Sequence, residues 1–492
     1  MCARHVAKTN RAGSDSDFFK YIGLIAAIAA AVAVSMIILN FIELGISFSS
    51  GPLFYVVLID VGLVAFVFFL VLSGNINRNN LLRFGSIALA VMIIFINLFV
   101  ESYISAADQF INDIFSTQTR GAVEYSVVAQ RSAGIDLESN SSLRTGIQST
   151  DDLRAEAESE IQKLANVSFT EFENPSLMIS ATEDHELDIA VIKTALLQSY
   201  AEYFPDEFEN LDVLTTFRAG STVTATNGSN GKIDITKPFI IYVCGLDDFG
   251  DIDNMNARSD VNMLVCIDPE RYKILLINTP RDYYVQLHGT TGTRDKLSHA
   301  GVYGVGTCKA TIEDLYGVEA NYQALINFDT IVQLCDSMGG ILVDNPRTFE
   351  LWGQTYEEGN IWLNGDMALL FSRARKGLEG GDIDRAANQQ LVIQGIVDRL
   401  TDPKMIVNYK SILGRMSAYF RSNIPSDVYI QLFSRQIELG GDWTIEKMVA
   451  QGNGAMRPTY SMGSTELSVL LPDETSLNEI RTAISNFMNR VD

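Results

Sequence analysis

Hydrophobic residues are concentrated near the start of the chain, in three long runs separated by short polar segments. The runs cover residues 21–42, 52–72 and 84–100. Each is close to the ~20 residues that a helix needs to cross the hydrocarbon core of a bilayer. A cleaved signal peptide would instead be one shorter run followed by small residues at a cleavage site. The pattern predicts a permanent anchor of three transmembrane helices over residues 21–101.

The charged residues that flank these runs predict the orientation of the anchor. Lys and Arg in short flanks stay on the cytoplasmic side of a membrane. They precede the first run and separate the second from the third, whereas the opposite flanks are acidic: Arg4, Lys8, Arg11, Lys20, Arg78 and Arg83 against Glu43 and Glu101. We therefore expect a multi-pass protein of the cell membrane, with a cytoplasmic tail of residues 1–20 and an exported region after Glu101.

The exported region begins with a segment whose periodicity predicts a small α/β accessory domain over residues 102–218. One of its patterns is typical of a strand and two are typical of helices: 122–130, 150–165 and 187–203. Residues 219–237 consist largely of Gly, Ser, Thr and Asn, which is the composition of a linker. A separate domain is therefore predicted to begin at residue 238.

This second domain, residues 238–492, alternates short β-branched runs with helical patterns. The predicted strands are 239–243, 262–267 and 274–279, and the predicted helices are 311–316, 330–338 and 383–400. Gly339 and Gly340 are expected to end the middle helix. Such alternation favours an α/β architecture in which helices pack on a central sheet.

Composition excludes several kinds of site. The net charge is −23, and no basic cluster of the kind that binds nucleic acid is visible, so no nucleic-acid partner is expected. The five cysteines are odd in number and lack CxxC spacing. We therefore expect buried core cysteines, and neither a zinc site nor a disulfide framework.

Candidate catalytic residues lie beside the strand-like runs of the second domain, where ligands often bind in α/β sheets. They are arginines and aspartates in short motifs: Asp247 in GLD, Arg258 and Asp260 in ARSD, Arg281 and Asp282 in TPRD, Arg373 and Arg375 in FSRAR, and Asp382, Asp384, Arg385 and Gln389 in DIDRAANQQ. Arg385 and Gln389 would share one helix face because they are four residues apart. Arg373 and Arg375 would point the same way only in an extended segment.

These residue types suit a phosphate or pyrophosphate ligand. The guanidinium group of Arg pairs bidentately with phosphate oxygens and keeps its charge at any relevant pH. Nearby carboxylates suit Mg²⁺, which prefers a few oxygen ligands and shares the rest of its shell with phosphate. The combination predicts phosphoryl transfer. The motif GxxxxGK[ST] is absent, so nucleotide use is not indicated.

The order of these motifs resembles the LytR–CpsA–Psr family. The segments GLD, ARSD, NTPRD, KLSHAGVYG, NFD with SMGG, FSRAR and DIDRAANQQ follow one another over roughly residues 237–400. The three-helix anchor with an accessory region resembles the capsule-associated branch of that family. The resemblance implies an α/β/α domain with a central mixed sheet and an apolar tunnel for a polyprenyl tail.

The resemblance also implies roles for individual residues. Asp247 and Asp260 would bind Mg²⁺ (or Mn²⁺), while Arg258, Arg373 and Arg375 would grip a pyrophosphate with Gln389 beside them. Arg281 and Arg385 would act with Asp260 in catalysis. The implied reaction transfers a capsular or teichoic-acid type glycopolymer from a polyprenyl-pyrophosphate carrier to peptidoglycan. Membrane lipid and capsule-biosynthesis proteins would be further partners.

Several points stay open on the sequence. The general base could be Asp260 or Asp282, and His299 could be a base or a structural hydrogen bonder. A non-catalytic regulator of capsule or envelope biosynthesis and a polyprenyl-pyrophosphate hydrolase are the two alternative functions. The identity of the polymer and the role of the accessory domain are not readable.

Overall fold

The structure is a computed structural model that describes most of the chain in two compact units. The described residues are 21–40, 52–77, 79–116, 119–120, 123–138, 141–149, 151, 153–220, 223–224, 234–247, 252, 257–375, 378–402, 405, 409–416, 419–425, 428–429, 431–432, 435 and 443–491. One unit comprises Met1–Ile111 and Pro425–Gly441, and the other comprises Asn112–Ile424 and Asp442–Asp492. The flanking residues Arg4, Lys8, Arg11, Lys20, Glu43 and Arg78, together with Cys2 and most of the predicted linker, lie outside the described residues.

Three long apolar helices stand at the start of the described chain. They are α1 (Tyr21–Asn40), α2 (Pro52–Ile76) and α3 (Asn80–Ser116). All three are long and apolar enough to cross a membrane, as predicted. Helix α3 is longer at both ends than the apolar run in the sequence, because the helix continues into polar sequence.

The accessory domain is a five-stranded sheet of order β4-β3-β5-β2-β6, preceded and followed by the strands of a short antiparallel pair, β1 with β7. The strands are β1 (Thr119–Arg120), β2 (Val123–Gln130), β3 (Leu143–Gln148), β4 (Val167–Phe172), β5 (Ile189–Lys193), β6 (Leu211–Ala219) and β7 (Val223–Thr224). The helices are α4 (Arg154–Leu164), α5 (Pro175–Glu183), α6 (Thr194–Tyr203) and α7 (Pro205–Phe208). The predicted α/β accessory domain is confirmed as an α/β fold.

One prediction in this domain is wrong in its first half. Residues 187–203 were predicted to be one helix, but Ile189–Lys193 form strand β5 and only Thr194–Tyr203 form helix α6. All five residues of β5 are buried, because the strand lies between β3 and β2 at the centre of the sheet. A strand buried on both faces has no alternation of polar and apolar residues, and its short apolar run cannot be distinguished from a helix by periodicity.

The second domain is built on a six-stranded mixed sheet of order β18-β13-β8-β9-β10-β19. Strand β13 is parallel to β8, β10 is parallel to β19, and the other neighbours are antiparallel. The sheet strands are β8 (Phe239–Leu246), β9 (Ser259–Asp268), β10 (Lys273–Asn278), β13 (Tyr322–Ile326), β18 (Arg421–Ser422) and β19 (Thr444–Val449). The central mixed sheet is as expected.

Further strands form antiparallel pairs outside this sheet, and helices cover it. The paired strands are β11 (Tyr284–Val285) with β12 (Asp295–Lys296), β14 (Ile341–Asn345) with β17 (Gly359–Leu363), β15 (Phe349–Leu351) with β16 (Gln354–Tyr356), and β20 (Gly452–Thr459) with β21 (Gly463–Pro472). The helices are α8 (Val305–Tyr316), α9 (Phe328–Ser337), α10 (Gly365–Arg373), α11 (Asp382–Thr401), α12 (Tyr409–Met416) and α13 (Glu474–Asn489).

The two faces of the sheet are covered by different helices. Ile312 of α8 and Ile480 of α13 join a large apolar cluster with strand residues such as Leu264. On the other side, Ile393 of α11 packs against Leu276 in a separate cluster. The domain is therefore the expected α/β/α sandwich.

Two smaller predictions also hold. Helix α9 ends at Ser337, and Gly339 and Gly340 follow with φ of 73° and 99°, a conformation that glycine adopts at little cost. The four cysteines among the described residues are buried and free, as core cysteines should be: Cys244, Cys266, Cys308 and Cys335.

Candidate functional site

The site forms where the second domain's sheet brings two strand ends next to a strand start. Leu246, the last residue of β8, pairs with Ser259 at the start of β9. The backbone N–H of Asp247 donates to the carbonyl of Arg258 over 2.9 Å. Asn278 ends β10 opposite Met263 of β9, so the TPRD segment leaves the sheet at the same edge. Antiparallel pairing therefore collects the GLD, ARSD and TPRD motifs at one place.

Arg281 lies between the carboxylates of Asp247 and Asp260. Its Nη1 is 2.5 Å from Asp260 Oδ1 and 3.8 Å from Asp247 Oδ2. Its Nε lies 3.6 Å from Asp282 Oδ1 and has no hydrogen-bond partner among the described residues. The side chains of Arg281, Asp247 and Asp260 are each about nine-tenths buried, at 8%, 10% and 10% exposure. A buried guanidinium group is thus shared by three carboxylates.

The other arginines surround the same carboxylates. Arg258 Nη2 donates to Asp247 Oδ2 over 2.8 Å. Longer ion pairs, between 3.5 and 3.9 Å, join Arg373 to Asp247, Arg385 to Asp260, and Arg375 to Asp282. The five arginines predicted to meet are therefore brought together around three carboxylates.

In the FSRAR segment the two arginines point the same way, as an extended segment allows. Arg373 is the last residue of α10, and Ala374 is extended, with φ −59° and ψ 122°. Ala374 is fully buried, while Arg373 and Arg375 both face the carboxylates. The Arg373 guanidinium also stacks 4.1 Å from the ring centroid of Phe328, which fixes its position.

Helix α11 contributes its first turns. Arg385 forms an ion pair with Asp382, and both are largely buried. Gln389 accepts from Asn278 Nδ2 over 2.8 Å and donates to the backbone carbonyl of Asp260 over 3.4 Å. Asp384 faces away, because it accepts from Arg347 Nη1 over 2.8 Å. Gln389 therefore holds the backbone of Asp260 in addition to any contact with a ligand.

The carboxylates differ in their proton affinity. Burial and the neighbouring charge of Asp260 raise the pKa of Asp247, even though Arg258, Arg281 and Arg373 oppose the shift. Burial would also raise the pKa of Asp260, but the charges of Arg281 and Arg385 outweigh it and lower that pKa. The surrounding arginines therefore favour the ionised form of Asp260 more strongly than that of Asp247.

The different pKa shifts of Asp247 and Asp260 bear on metal binding. A carboxylate whose pKa is raised by burial and by a neighbouring carboxylate is stabilised as an anion by a further cation that it binds directly. Mg²⁺ is commonly held by one or two carboxylates and completes its shell with substrate phosphate and water. No cluster of three or more metal-binding side chains is found among the described residues. Asp247 and Asp260 therefore fit a metal that a phosphate ligand helps to hold.

An apolar cavity opens beside these charges. Asp260, Arg373, Arg385 and Gln389 stand among its lining residues. The rest of the lining is largely apolar: Leu246, Val261, Ile326, Phe328, Ile331, Leu369, Val392 and Ile393. Arg258, Arg281 and Arg375 are not among its lining residues, and of their carboxylate partners only Asp260, bound by Arg281, lines it. The cavity thus combines a largely apolar lining with charged residues of the site.

His299 takes no part in this site. It is fully buried, and its Nδ1 lies 2.7 Å from both Asp295 Oδ1 and Ser461 Oγ. Of the two roles left open by the sequence, this environment favours the structural one.

The match to a family model agrees with this geometry. The model of the LytR–CpsA–Psr family matches residues 213–485, which is more than half of the chain and includes every site residue described so far. The chain belongs to the LytR–CpsA–Psr family.

Relatives of this LytR–CpsA–Psr protein carry one recurrent name. A protein of Bacillus cereus strain AH820 is 32% identical over 213 residues, which are 43% of this chain and 68% of the relative. One of Enterococcus faecalis strain V583 is 26% identical over 302 residues, covering 61% of this chain and 95% of the relative. Both are named polyisoprenyl-teichoic acid–peptidoglycan teichoic acid transferase TagU. The crystal structure of Bacillus subtilis TagV is 26% identical, with a TM-score of 0.44, over 52% of this chain and 98% of that one.

The structure adds site residues that the motifs did not assign. Lys296, in KLSHAGVYG, donates to Asp282 Oδ1 over 3.1 Å, and burial of this lysine is not visible in the sequence. Asp382 and Asp384 stand in the same motif, and the sequence does not show which of them faces the site. In the structure Asp382 pairs with Arg385, whereas Asp384 pairs with Arg347. Glu202 and Tyr203 of the accessory domain also reach the site, and no signal in the sequence could have connected them with it.

Proposed function

We propose that this LytR–CpsA–Psr protein transfers an anionic glycopolymer, of capsular or teichoic-acid type, from a polyprenyl-pyrophosphate carrier to peptidoglycan. The transferred group would be a glycosyl phosphate. A sugar hydroxyl of peptidoglycan attacks its phosphorus and releases its proton to solvent, while the bond to the bridging oxygen breaks and polyprenyl monophosphate leaves. The names of the relatives support this class of reaction.

The observation that carries the proposal is the cavity with one charged end. A polyprenyl chain needs an apolar channel, and burial of its methylene groups contributes about 0.8 kcal/mol each. Its pyrophosphate needs cations at the channel mouth. Arg373 and Arg385 line the cavity beside Asp260, so one molecule could place its tail among Ile326, Phe328 and Leu369 and its head group on the arginines.

The arginines divide into two groups by exposure. Arg373 and Arg375 are 36% and 49% exposed, and their ion pairs are 3.6 and 3.5 Å long, so they can exchange a carboxylate for a phosphate oxygen. Arg281 and Arg385 are both 8% exposed and are held by buried aspartates. We assign the first pair, with Arg258, to binding the pyrophosphate. The second pair would stabilise charge that grows on the phosphate oxygens as the bond breaks.

Asp247 and Asp260 would hold Mg²⁺ or Mn²⁺. A bound divalent cation would neutralise phosphate charge and orient the pyrophosphate at this position. The tight pairing of Asp260 with Arg281 fixes one of the two ligands before substrate arrives.

The electrostatic surroundings of Asp260 and Asp282 bear on whether either could act as the general base. Burial opposes ionisation of Asp282, but Lys296 and Arg281 outweigh it and lower the pKa of this carboxyl. Asp260 also has a lowered pKa. A carboxylate held so firmly as an anion is a weak base at neutral pH. Both aspartates therefore suit the positioning of cations better than removal of a proton from the acceptor.

The location follows from the substrates. We propose that the N-terminus is cytoplasmic and that the residues after the three-helix anchor face outward, where lipid-linked polymer and peptidoglycan meet. The bias of Lys and Arg toward one set of flanks supports this orientation. Protease added to intact spheroplasts should digest the exported part, and its protection would contradict both the orientation and the function.

The reaction is tested with the purified full-length chain in lipid nanodiscs, a polyprenyl-pyrophosphate-linked polymer and peptidoglycan. Polymer linked to peptidoglycan, with release of polyprenyl monophosphate, is the expected product. Asp247→Ala should lower turnover and metal dependence together, while Asp384→Ala, a carboxylate turned away from the site, should change neither.

The same experiment separates the alternatives. Free polymer phosphate with no linked product would indicate a polyprenyl-pyrophosphate hydrolase. No turnover by folded protein, with or without metal, would favour a regulator of envelope biosynthesis. Full transfer in the presence of a chelator would contradict the role of the metal alone.

A further inference from the structure

The end of helix α6, in the accessory domain, reaches the charged cluster of the second domain. Tyr203 is the last residue of α6, and its hydroxyl accepts a hydrogen bond from Lys296 Nζ over 3.3 Å. The same ammonium group lies 5.0 Å from the centroid of the Tyr203 ring, within the range of a cation–π interaction. Tyr203 therefore touches Lys296 through both its hydroxyl and its ring.

Lys296 in turn holds Asp282. Its side chain is only 4% exposed, and its Nζ donates to Asp282 Oδ1 over 3.1 Å. Asp282 also faces Arg281 Nε at 3.6 Å and Arg375 Nη1 at 3.5 Å. A change in the position of Lys296 would therefore move the carboxylate that lies between two arginines of the site.

Glu202, the residue before Tyr203, also contacts a basic side chain of the site. Glu202 forms an ion pair with Arg258 Nη1, while Arg258 Nη2 is bound by Asp247. Two consecutive residues of α6 thus reach the two carboxylates, Asp247 and Asp282, each through one basic side chain.

The helix end is fixed in place by a hydrophobic core that the two domains share. Leu196 and Tyr200 of α6 are buried in one cluster with Val302, Met462 and Leu467 of the second domain. Such burial is rigid and close-packed, so the end of α6 cannot drift relative to Lys296. The two domains also belong to one compact unit.

Helix α6 lies outside the part of the chain that the family model matches, which begins at residue 213. The contact therefore joins a helix outside the matched region to a site within it.

We infer that Tyr203 is a positioning residue for the transfer reaction, through which the accessory domain holds Lys296 and Asp282 and so sets the placement of Arg281 and Arg375. This inference rests on the proposed function. It assigns the accessory domain a part in the site itself.

A graded series of substitutions tests it in the full-length chain in nanodiscs. Tyr203→Phe loses the hydroxyl but keeps the ring, and should lower kcat by about threefold. Tyr203→Leu loses both contacts and should lower kcat by about tenfold or more. Turnover is expressed per folded molecule, with the melting temperature measured alongside.

The matched control is Tyr200→Phe. Tyr200 lies on the same helix, but its hydroxyl donates to Glu207 of the accessory domain. Its loss should affect stability while kcat per folded molecule stays unchanged. Equal losses of kcat in Tyr200→Phe and Tyr203→Phe would show that any disturbance of α6 lowers turnover without a specific role for Tyr203, and would overturn the inference.

A second measurement asks whether Tyr203 acts through Lys296. In a Lys296→Met background, Tyr203→Leu should have no further effect on kcat, whereas independent roles would give multiplying losses. If Lys296→Met does not fold, the series at position 203 with its control decides alone. A wild type that transfers no polymer contradicts the proposed function, while a transferring wild type matched in kcat by Tyr203→Leu overturns only the role of the accessory domain.

Discussion

Two of the buried groups of charged residues in the second compact unit are built differently. In the accessory domain, Lys193 Nζ lies 3.0 Å from Asp151 Oδ1, and both side chains are at most 3% exposed. Asp151 also accepts from the hydroxyl of Tyr125 over 2.7 Å and from the backbone N–H of Leu153 over 3.0 Å. One cation meets one anion, and further hydrogen bonds satisfy the carboxylate.

The candidate site has the opposite character. Five arginines and Lys296 meet Asp247, Asp260, Asp282, Asp382 and Glu202, so six basic groups meet five acidic ones. Several of the ion pairs are between 3.5 and 3.9 Å long, and Arg281 Nε has no hydrogen-bond partner among the described residues. An apolar cavity ends at this group of residues.

The difference separates a structural ion pair from a binding site. A buried pair that serves stability must be neutral and saturated with hydrogen bonds, because an unpaired buried charge costs several kcal/mol. A site for a highly charged anion must instead keep cations that are not yet satisfied. The two groups should therefore respond in opposite ways to the same kind of substitution.

The largest expected effect is on stability, from Lys193→Met. The change leaves the Asp151 carboxylate buried without its cation, which typically costs about 3–5 kcal/mol. Denaturant unfolding of the full-length chain in detergent should show the loss, while kcat per folded molecule should stay unchanged. A variant as stable as the wild type would show that this ion pair does not support the fold, and would contradict the structural half of the comparison.

The next effect is on turnover, from Arg373→Lys. An ammonium group keeps the charge but loses the bidentate fork, and loss of such a donor costs about 10²–10³ in rate, or roughly 3–4 kcal/mol. Stability should change by less than about 0.5 kcal/mol, because the side chain is 36% exposed and its ion pair with Asp247 is 3.6 Å long. Transfer assays and unfolding curves of the same preparation measure both.

Arg131→Lys is the control for this substitution. Arg131 forms an exposed ion pair with Asp212 in the accessory domain, and its side chain is 62% exposed. Neither turnover nor stability should change. Equal turnover in wild type and Arg373→Lys would remove Arg373 from pyrophosphate binding.

Much of this site could be predicted from the sequence, for a physical reason. Antiparallel pairing of β8 with β9 and of β9 with β10 places Asp247, Asp260 and Arg281 together as soon as the three strands are recognised. The helical spacing of Arg385 and Gln389 is likewise a local property. Such features need only short-range pattern and the order of the motifs.

The parts that could not be predicted depend on contacts between distant segments. Lys296 reads as a surface lysine, and only its packing beneath Tyr203 shows that it is buried. Strand β5 reads as a helix because the neighbours that bury both its faces come from elsewhere in the chain. Glu202 and Tyr203 enter the site through a core shared by two domains, which no local pattern encodes.

The smallest expected effect sharpens the structural side of the comparison. In the accessory domain, Arg144 and Asp188 form an ion pair over 2.7 Å at side-chain exposures of 50% and 24%. Exposed pairs contribute little, because water screens the charges and two side chains lose freedom. Asp188→Asn removes the charge, while its amide oxygen can still accept from the Arg144 backbone N–H, as Asp188 Oδ2 does over 2.7 Å. The loss of stability should be a small fraction of that in Lys193→Met.

The pH dependence of that small loss identifies its cause. The hydrogen bond from the Arg144 side chain lowers the pKa of Asp188 below its ordinary 3.8. A lowered pKa means that the contribution is complete above the unfolded-state pKa and is lost as the pH falls through the folded-state value. The difference in unfolding free energy between wild type and Asp188→Asn should therefore be constant near neutral pH and shrink on acidification below about pH 4. A difference that persists at acidic pH would show that the loss of stability comes from backbone contacts disturbed by the amide and not from the missing charge.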